Sequence, residues 1–283
     1  FDFWEVCHPM LADPELVHKA AAGRMDEVKR CIGSLNCLSR LFRDLPYTCT
    51  RNPQLGHEYD PAYQLTPAPM AKKIMVIGAG PAGMECAITA KRRGHDVIVF
   101  ERGAAIGGAL AGYAKNDLAN SDDLTSVVAY YRKMAEALAI EVRLNSTIDV
   151  KAMRSMLHRY DVAVIATGAR IDSRFLPECT QPGLLVDALD VAAERVGTGA
   201  RVVVLGGGKV GLTLAESLKK NHGREVTVVD SDKRIAGDVM PSFKWRHTAW
   251  IEELGIPTRT GARVLAIGAG GVQIRTAQGE EEF

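Results

Sequence analysis

The chain has 283 residues and 47% hydrophobic content, enough for about two domains with buried cores. Its formal net charge of +1 gives no case for nucleic acid or an anionic membrane as partner, no apolar run approaches the roughly 20 residues of a bilayer span, and no signal peptide opens it. Six cysteines in a chain of this length do not make a secreted disulfide scaffold, so a cytoplasmic protein with metal-binding or simply buried cysteines is expected.

The chain opens Phe1-Asp2-Phe3-Trp4 without an initiator Met and is expected to be part of a longer polypeptide. Pro9 to Arg30 reads as a loop and helix, and Cys31 to Met70, broken by Pro46, Pro53, Pro61, Pro67 and Pro69, as a connector. That connector holds Cys31, Cys37 and, after eleven intervening residues, Cys49. Iron-sulfur clusters want four thiolates on a loop folded around them, with C-x2-C spacings near a more distant cysteine. Ser34 stands where the C-x2-C partner of Cys31 would be, which leaves Ser34, Cys7 or water open as a fourth ligand. The bland alternative is three unconnected loop cysteines.

Regular α/β alternation begins at Lys72. Lys72 to Ile77 predicts a buried parallel strand, Met84 to Arg93 a helix, and Val97 to Glu101 a second strand ending on its acid. Between strand and helix lies Gly78-Ala79-Gly80-Pro81-Ala82-Gly83. Glycines there permit a tight turn and close approach to a pyrophosphate, which sits on free helix amides while the acid accepts from an adenosine ribose. Ser121 to Leu138 predicts a helix with Leu124, Val127, Val128, Tyr131, Met134 and Leu138 on one face, and Val162 to Ile165 a strand running into Ala166-Thr167-Gly168. A crossover is expected near Pro182-Gly183. Arg201 to Leu205, a helix from Lys209 to Asn221, and Val226 to Asp230 repeat the order around Gly206-Gly207-Gly208-Lys209-Val210-Gly211. Arg263 to Ile267 and Val272 to Thr276 read as a hairpin, after which a further strand is expected but the chain ends at Glu280-Glu281-Glu282-Phe283.

Taken together, the run Pro9-Met10-Leu11-Ala12-Asp13-Pro14-Glu15-Leu16, then Lys19, Gly23-Arg24, Cys31-Ile32-Gly33, Cys37, Cys49, Asn52-Pro53 and His57-Glu58, leading into the first glycine turn, resembles the iron-sulfur flavoenzyme branch of the old yellow enzyme family. That branch includes 2,4-dienoyl-CoA reductase, 2-enoate reductase and trimethylamine dehydrogenase. The resemblance implies an α/β chain of two Rossmann-like, glutathione-reductase-like dinucleotide-binding domains, preceded by an iron-sulfur loop and the end of a TIM barrel. The implied division is 1-30, the remnant of the FMN barrel; 31-70, the cluster loop; 71-181, an FAD (or ADP) domain; and 182-283, an incomplete NAD(P) domain. It further implies metal ligation by Cys31, Cys37 and Cys49. Flavin contacts are implied for Gly78, Gly80, Pro81, Ala82, Gly83, Glu101, Arg102, Gly107, Gly108, Thr167 and Gly168, and nicotinamide-nucleotide contacts for Gly206, Gly208, Lys209, Val210, Gly211 and Asp230.

The implied chemistry is a relay from NAD(H) to FAD, through a 4Fe-4S cluster, to FMN on a barrel domain or chain, for an enoate or enoyl-CoA substrate. Run in reverse, the same relay would serve an amine; an electron-transfer subunit or a diaphorase-like reductase is the alternative of another class. A homo-oligomer is implied. Cys7-His8 replaces the family's Gly-Arg or Ala-Arg at the FMN phosphate, and the residues that act on substrate lie outside this sequence, so no catalytic residue is assigned. Asp230 points to NADH, with Lys233 and Arg234 opposing it. Cys86 reads as core, His57 and His95 as surface or capping residues, and no C-x-x-C accompanies Cys86.

Overall fold

The computed structural model describes Phe3 and residues 5–283; of the opening Phe1-Asp2-Phe3-Trp4, the other three residues lie outside the described ones. Among the described residues no helix is long and apolar enough to cross a membrane. The chain forms two compact units, residues 1–114 with 122–169 and residues 115–121 with 170–283.

The first unit opens with short helices α1 (His8–Ala12), α2 (Leu16–Ala21) and α3 (Asn36–Leu41). The connector is thus not wholly irregular: α3 begins just after Leu35, a non-glycine residue at φ +51°. Then come β1 (Lys73–Ile77), α4 (Pro81–Arg92), β2 (Asp96–Phe100), α5 (Gly108–Asn116), α6 (Ser121–Ala137), β3 (Glu141–Arg143), α7 (Val150–Met156) and β4 (Val162–Ile165). The parallel sheet runs β3-β2-β1-β4, pairing Ile74 with Val97 and Val162. Because side chains alternate along a strand, β1 serves two cores. Ile74 and Val76, with Val97 and Val99, meet Met84, Ala87 and Ile88 of α4 and Val127, Tyr131 and Met134 of α6. Met75, Ile77 and Phe100 face Met153, Met156 and Tyr160. Burial on both faces explains why the strands read as continuous apolar runs.

The cysteine segment is fastened to this unit by specific bonds. Asp13, buried, accepts from Lys19 Nζ at 2.6 Å and from the Lys29 amide at 2.8 Å, and Lys29 pairs with Glu85 of α4. Arg51 lies over the rings of Tyr130 and Tyr131 in α6, 5.1 and 5.7 Å from their centroids.

The second unit contains α8 (Ala188–Ala192), β5 (Arg201–Leu205), α9 (Lys209–His222), β6 (Glu225–Val229), α10 (Pro241–Glu253), β7 (Thr258–Arg259), β8 (Arg263–Gly268), β9 (Gly271–Thr276) and β10 (Gly279–Glu282). Strands β5-β6-β7 form a parallel sheet, and β10-β9-β8 an antiparallel one whose inner face joins Ile267, Val272 and Ile274 to Val229. The glutamates that read as a chain end after a hairpin are instead a third strand. Arg275 holds Glu280 at 2.6 Å and Arg259 holds Glu281 at 2.7 Å, so cross-strand charge pairing replaces apolar patterning.

Candidate functional site

Each unit builds the same device at the end of its first strand. In the first, Gly78 leaves β1 at φ +108°, where a Cβ would strike the Ala166 carbonyl, and Gly83 lies so close beneath the turn that a Cβ would strike the carbonyl of Gly78. Gly80, the cap of α4, has ordinary backbone at φ −73°, and a Cβ there would meet nothing nearer than the Gly108 Cα at 3.9 Å. Gly80 therefore leaves open space over the helix start. Pro81 lacks an N–H, and the amides of Ala82 and Gly83 have no acceptor within the first helical turn. Glu101, buried where β2 ends, accepts the Ala79 N–H through Oε2 and the Gly103 N–H through Oε1, each at 2.7 Å. Gly107 donates to the Ala79 carbonyl at 2.9 Å, and Gly108 opens α5. Arg102, Thr167 and Gly168 are exposed, the last two just beyond β4. Open space, free helix amides and a carboxylate with lone pairs to spare fit the ADP half of a dinucleotide.

The second unit repeats this bond for bond. Gly206 turns at φ +112°, and a Cβ on Gly211 would strike its carbonyl. Asp230 Oδ2 accepts the Gly207 N–H and Oδ1 the Asp232 N–H at 2.7 Å, while Ala236 donates to the Gly207 carbonyl at 2.7 Å. Val210 lies in the first turn of α9. The two turns part at the helix start: a Cβ on Gly208 would meet the Asp238 carboxylate at 2.8 Å, and Asp238 Oδ1 accepts the Lys209 N–H at 2.8 Å. The Lys209 ammonium turns inward, 3.0 Å from His247 Nε2 and 3.4 Å from Asp117 Oδ2, and His247 Nδ1 lies 2.7 Å from buried Glu216.

Cys31, Cys37 and Cys49 line one cavity of about 60 Å³ together with His8, Ser34, Thr50 and Arg51. The Gly33 N–H donates to Cys31 Sγ at 3.4 Å and the Arg51 N–H to Cys49 Sγ at 3.3 Å. Burial, opposed by the Gly33 bond and joined by the charges of Cys49 and Cys37, pushes the Cys31 thiol up. Arg51 Nε is buried and has no partner among the described residues. Two thiols under backbone donors, a third beside them and a guanidinium whose Nε has no partner among the described residues fit a negatively charged cluster. Among the described residues no three His, Cys, Asp or Glu side chains are gathered closely enough to hold a single metal ion. Ser34 Oγ is 3.0 Å from Thr50 Oγ1; Cys7, also considered as a ligand, is exposed and does not line the cavity.

Cys86 packs against the first core, His57 stacks on Tyr63 at 4.3 Å, and His95 accepts the Lys72 N–H at 3.1 Å. Sequence reasoning missed His8 and Arg51 at the cavity, and Asp117, Asp238 and His247 around α9. Only fold-level contacts bring these to their sites.

Residues 72–282 match the family model of the pyridine nucleotide-disulphide oxidoreductases. Over 293 residues the chain is 33% identical to an NADH oxidase of Thermoanaerobacter brockii, covering 100% of this chain and 43% of that protein. A solved 2-naphthoyl-CoA reductase, in complex with 2-naphthoyl-CoA, superposes with a TM-score of 0.91 at 31% identity over 100% of this chain and 42% of its own. The 6-hydroxypseudooxynicotine amine oxidase of Pseudomonas geniculata superposes with a TM-score of 0.84 at 25% identity over 98% and 43%. The chain spans less than half the length of these relatives. Tandem dinucleotide folds with these likenesses define a flavin- and nicotinamide-dependent oxidoreductase. The chain belongs to the pyridine nucleotide-disulphide oxidoreductase family, within the iron-sulfur flavoenzymes related to old yellow enzyme.

Proposed function

We propose that this chain is the electron-input part of a cytoplasmic iron-sulfur flavoenzyme that reduces an activated alkene of the enoate or enoyl-CoA class, its FMN borne by a barrel domain or chain and the whole a homo-oligomer. The observation that carries the reading is the pairing of two complete dinucleotide turns with a three-thiol cavity fastened to the first unit. Likeness to the NADH oxidase and to the 2-naphthoyl-CoA reductase supports the direction of electron flow.

When bound, the nicotinamide supplies a hydride, the flavin exchanges a pair for single electrons, and the cluster carries them singly. The chain's own residues position and tune these groups. Gly78, Gly80 and Gly83 admit the pyrophosphate to the amides of Ala82 and Gly83, and Glu101 holds the ribose. Arg102, Gly107, Gly108, Thr167 and Gly168 border the flavin. Gly206, Gly208, Gly211 and Asp230 would play the same parts for NADH once the Asp238 carboxylate leaves the space over Gly208, with Lys209 and Val210 in the first turn of α9. Cys31, Cys37 and Cys49 hold the cluster, whose charge Arg51 offsets.

The test is acid extraction of the full-length protein, with chromatographic identification of its flavins and nucleotides and an iron and sulfide count. Anaerobic reduction of an enoyl-CoA by NADH should follow. Flavin reduction by an amine, without nicotinamide, would replace this reading with the reverse relay, which the likeness to an amine oxidase favours.

A further inference from the structure

The two turns part at the helix start: Pro81 has no N–H where Lys209 donates one, and a carboxylate lies over the second turn alone. In each, the strand-end acid accepts the amide of the middle turn residue (Ala79 or Gly207), and the segment after the acid returns an N–H to that same residue's carbonyl (from Gly107 or Ala236). In the first unit the returning segment then presents Gly108, and the space over Gly80 stays open. In the second it presents Asp238, whose carboxylate lies over Gly208 and accepts the Lys209 N–H. A helix N-terminus attracts an anion through its free amides and dipole. Here the chain supplies that anion itself.

We propose that Asp238 is an internal stand-in for the dinucleotide pyrophosphate, and that its side chain must swing off the start of α9 before a nicotinamide nucleotide binds. The proposal rests on the reading of the second turn as a nicotinamide-nucleotide site. A pyrophosphate cannot share the place with the carboxylate, which fills the space over Gly208, and like charges a few ångströms apart repel. The Lys209 ammonium offers no compensation, since it is held by His247 and Asp117.

Asp238 is exposed, so its carboxylate can leave the helix start while staying in contact with water. Ala236, two residues earlier, anchors the backbone at φ +61°, a left-handed conformation that residues with a Cβ rarely adopt. It persists because Ala236 is fully buried and donates to Gly207. Nucleotide binding is thereby coupled to a rearrangement that the open first turn does not require. The consequence is a weak, readily exchanged nicotinamide beside a firmly held flavin, which suits a substrate that must leave after each turnover.

The test is titration calorimetry on the full-length flavin-loaded protein with ADP-ribose, which carries the pyrophosphate but no hydride, and with adenosine, which carries neither. Native protein is compared with Asp238→Asn, which keeps an acceptor for the Lys209 N–H without the charge, and with Asp238→Ala. Both variants should bind ADP-ribose about tenfold or more tightly than native protein, with adenosine unchanged. Unchanged or weaker ADP-ribose binding in Asp238→Asn, with its thermal unfolding at the native temperature, overturns the stand-in. If native protein and both variants bind neither probe, the nicotinamide reading itself fails and the stand-in with it. Adenosine binding that persists while ADP-ribose is unaffected separates the two failures.

Discussion

Glu216 Oε1 and His247 Nδ1 lie 2.7 Å apart with side chains only 1% and 3% exposed, and Lys209 Nζ approaches the other ring nitrogen at 3.0 Å. An ammonium only donates, so His247 accepts at Nε2 and gives its Nδ1–H to Glu216. Burial, outweighing His247 and Lys209, pushes the Glu216 carboxyl above its ordinary 4.5. A carboxyl whose native pKa is raised favours the fold most when protonated; its contribution is full below 4.5 and is lost as pH rises through the native value. Glu216→Gln removes that titration and keeps an acceptor. The melting temperature of the variant relative to native protein should therefore move in the variant's favour as pH rises from about 4.5 toward neutrality. Glu216→Ala, which strands a buried N–H, should cost about 1–3 kcal/mol throughout.

Gly80 is the turn glycine whose replacement acts on the ligand alone. Its backbone suits any residue and the space beside it is empty, whereas a Cβ on Gly78 or Gly83 strikes backbone carbonyls. Gly80→Val should thus leave the apo-protein's stability within about 1 kcal/mol of native and abolish bound FAD or ADP. Gly83→Ala should unfold the unit instead. Flavin absorbance of the purified variants, with calorimetry, checks the contrast, and full flavin content in Gly80→Val would sink the assignment.

How far the sequence reaches is clear from particular residues. Both turns were legible because Ile74–Ile77, buried, and Val202–Leu205, partly buried, are apolar strands ending on glycines, and because α4 and α9 carry regular apolar stripes. The start of α4 lies at Pro81 rather than Met84 because proline is favoured in the first helical turn. Helix α10 escaped notice because its inward stripe is Phe243, His247 and Ile251, with a polar residue at the centre. Helix α5 was hidden by Gly108 and Gly112 within it. Asp238 has no local signature: its role depends on a bond to Lys209, 29 residues earlier.

The cysteine cavity yields a third prediction. Single replacement of Cys31, Cys37 or Cys49 by alanine should remove iron from anaerobically purified full-length protein. Ser34→Cys should retain the cluster, stabilise it against oxygen and shift its potential, since a thiolate is a softer ligand than a hydroxyl. The variant must first give up the Ser34 contact with Thr50, a bond between exposed hydroxyls worth about 1 kcal/mol at most. Iron and sulfide counts and low-temperature electron paramagnetic resonance read the outcome. Retention of the native signal in all three alanine variants would show that these thiols serve another purpose.

Nucleotide choice rests on Asp230. Its two oxygens already accept from Gly207 and Asp232, which fixes the carboxylate at the end of β6 and leaves lone pairs for the two hydroxyls of an adenosine ribose. Against a 2′-phosphate the same fixed charge is repulsive by on the order of 1 to 4 kcal/mol at effective protein dielectrics. Lys233 and Arg234 are exposed on the following turn, where solvent screens them, so they offset only part of it. The ratio of kcat/KM for NADH over NADPH should be about ten or more and should fall in Asp230→Ser, each 1.4 kcal/mol being about tenfold. Asp230→Ser also frees the Gly207 amide, so KM for NADH should rise in the same variant while flavin content, set by the first unit, stays at the native level. A native preference for NADPH would show that Lys233 and Arg234 outweigh the carboxylate.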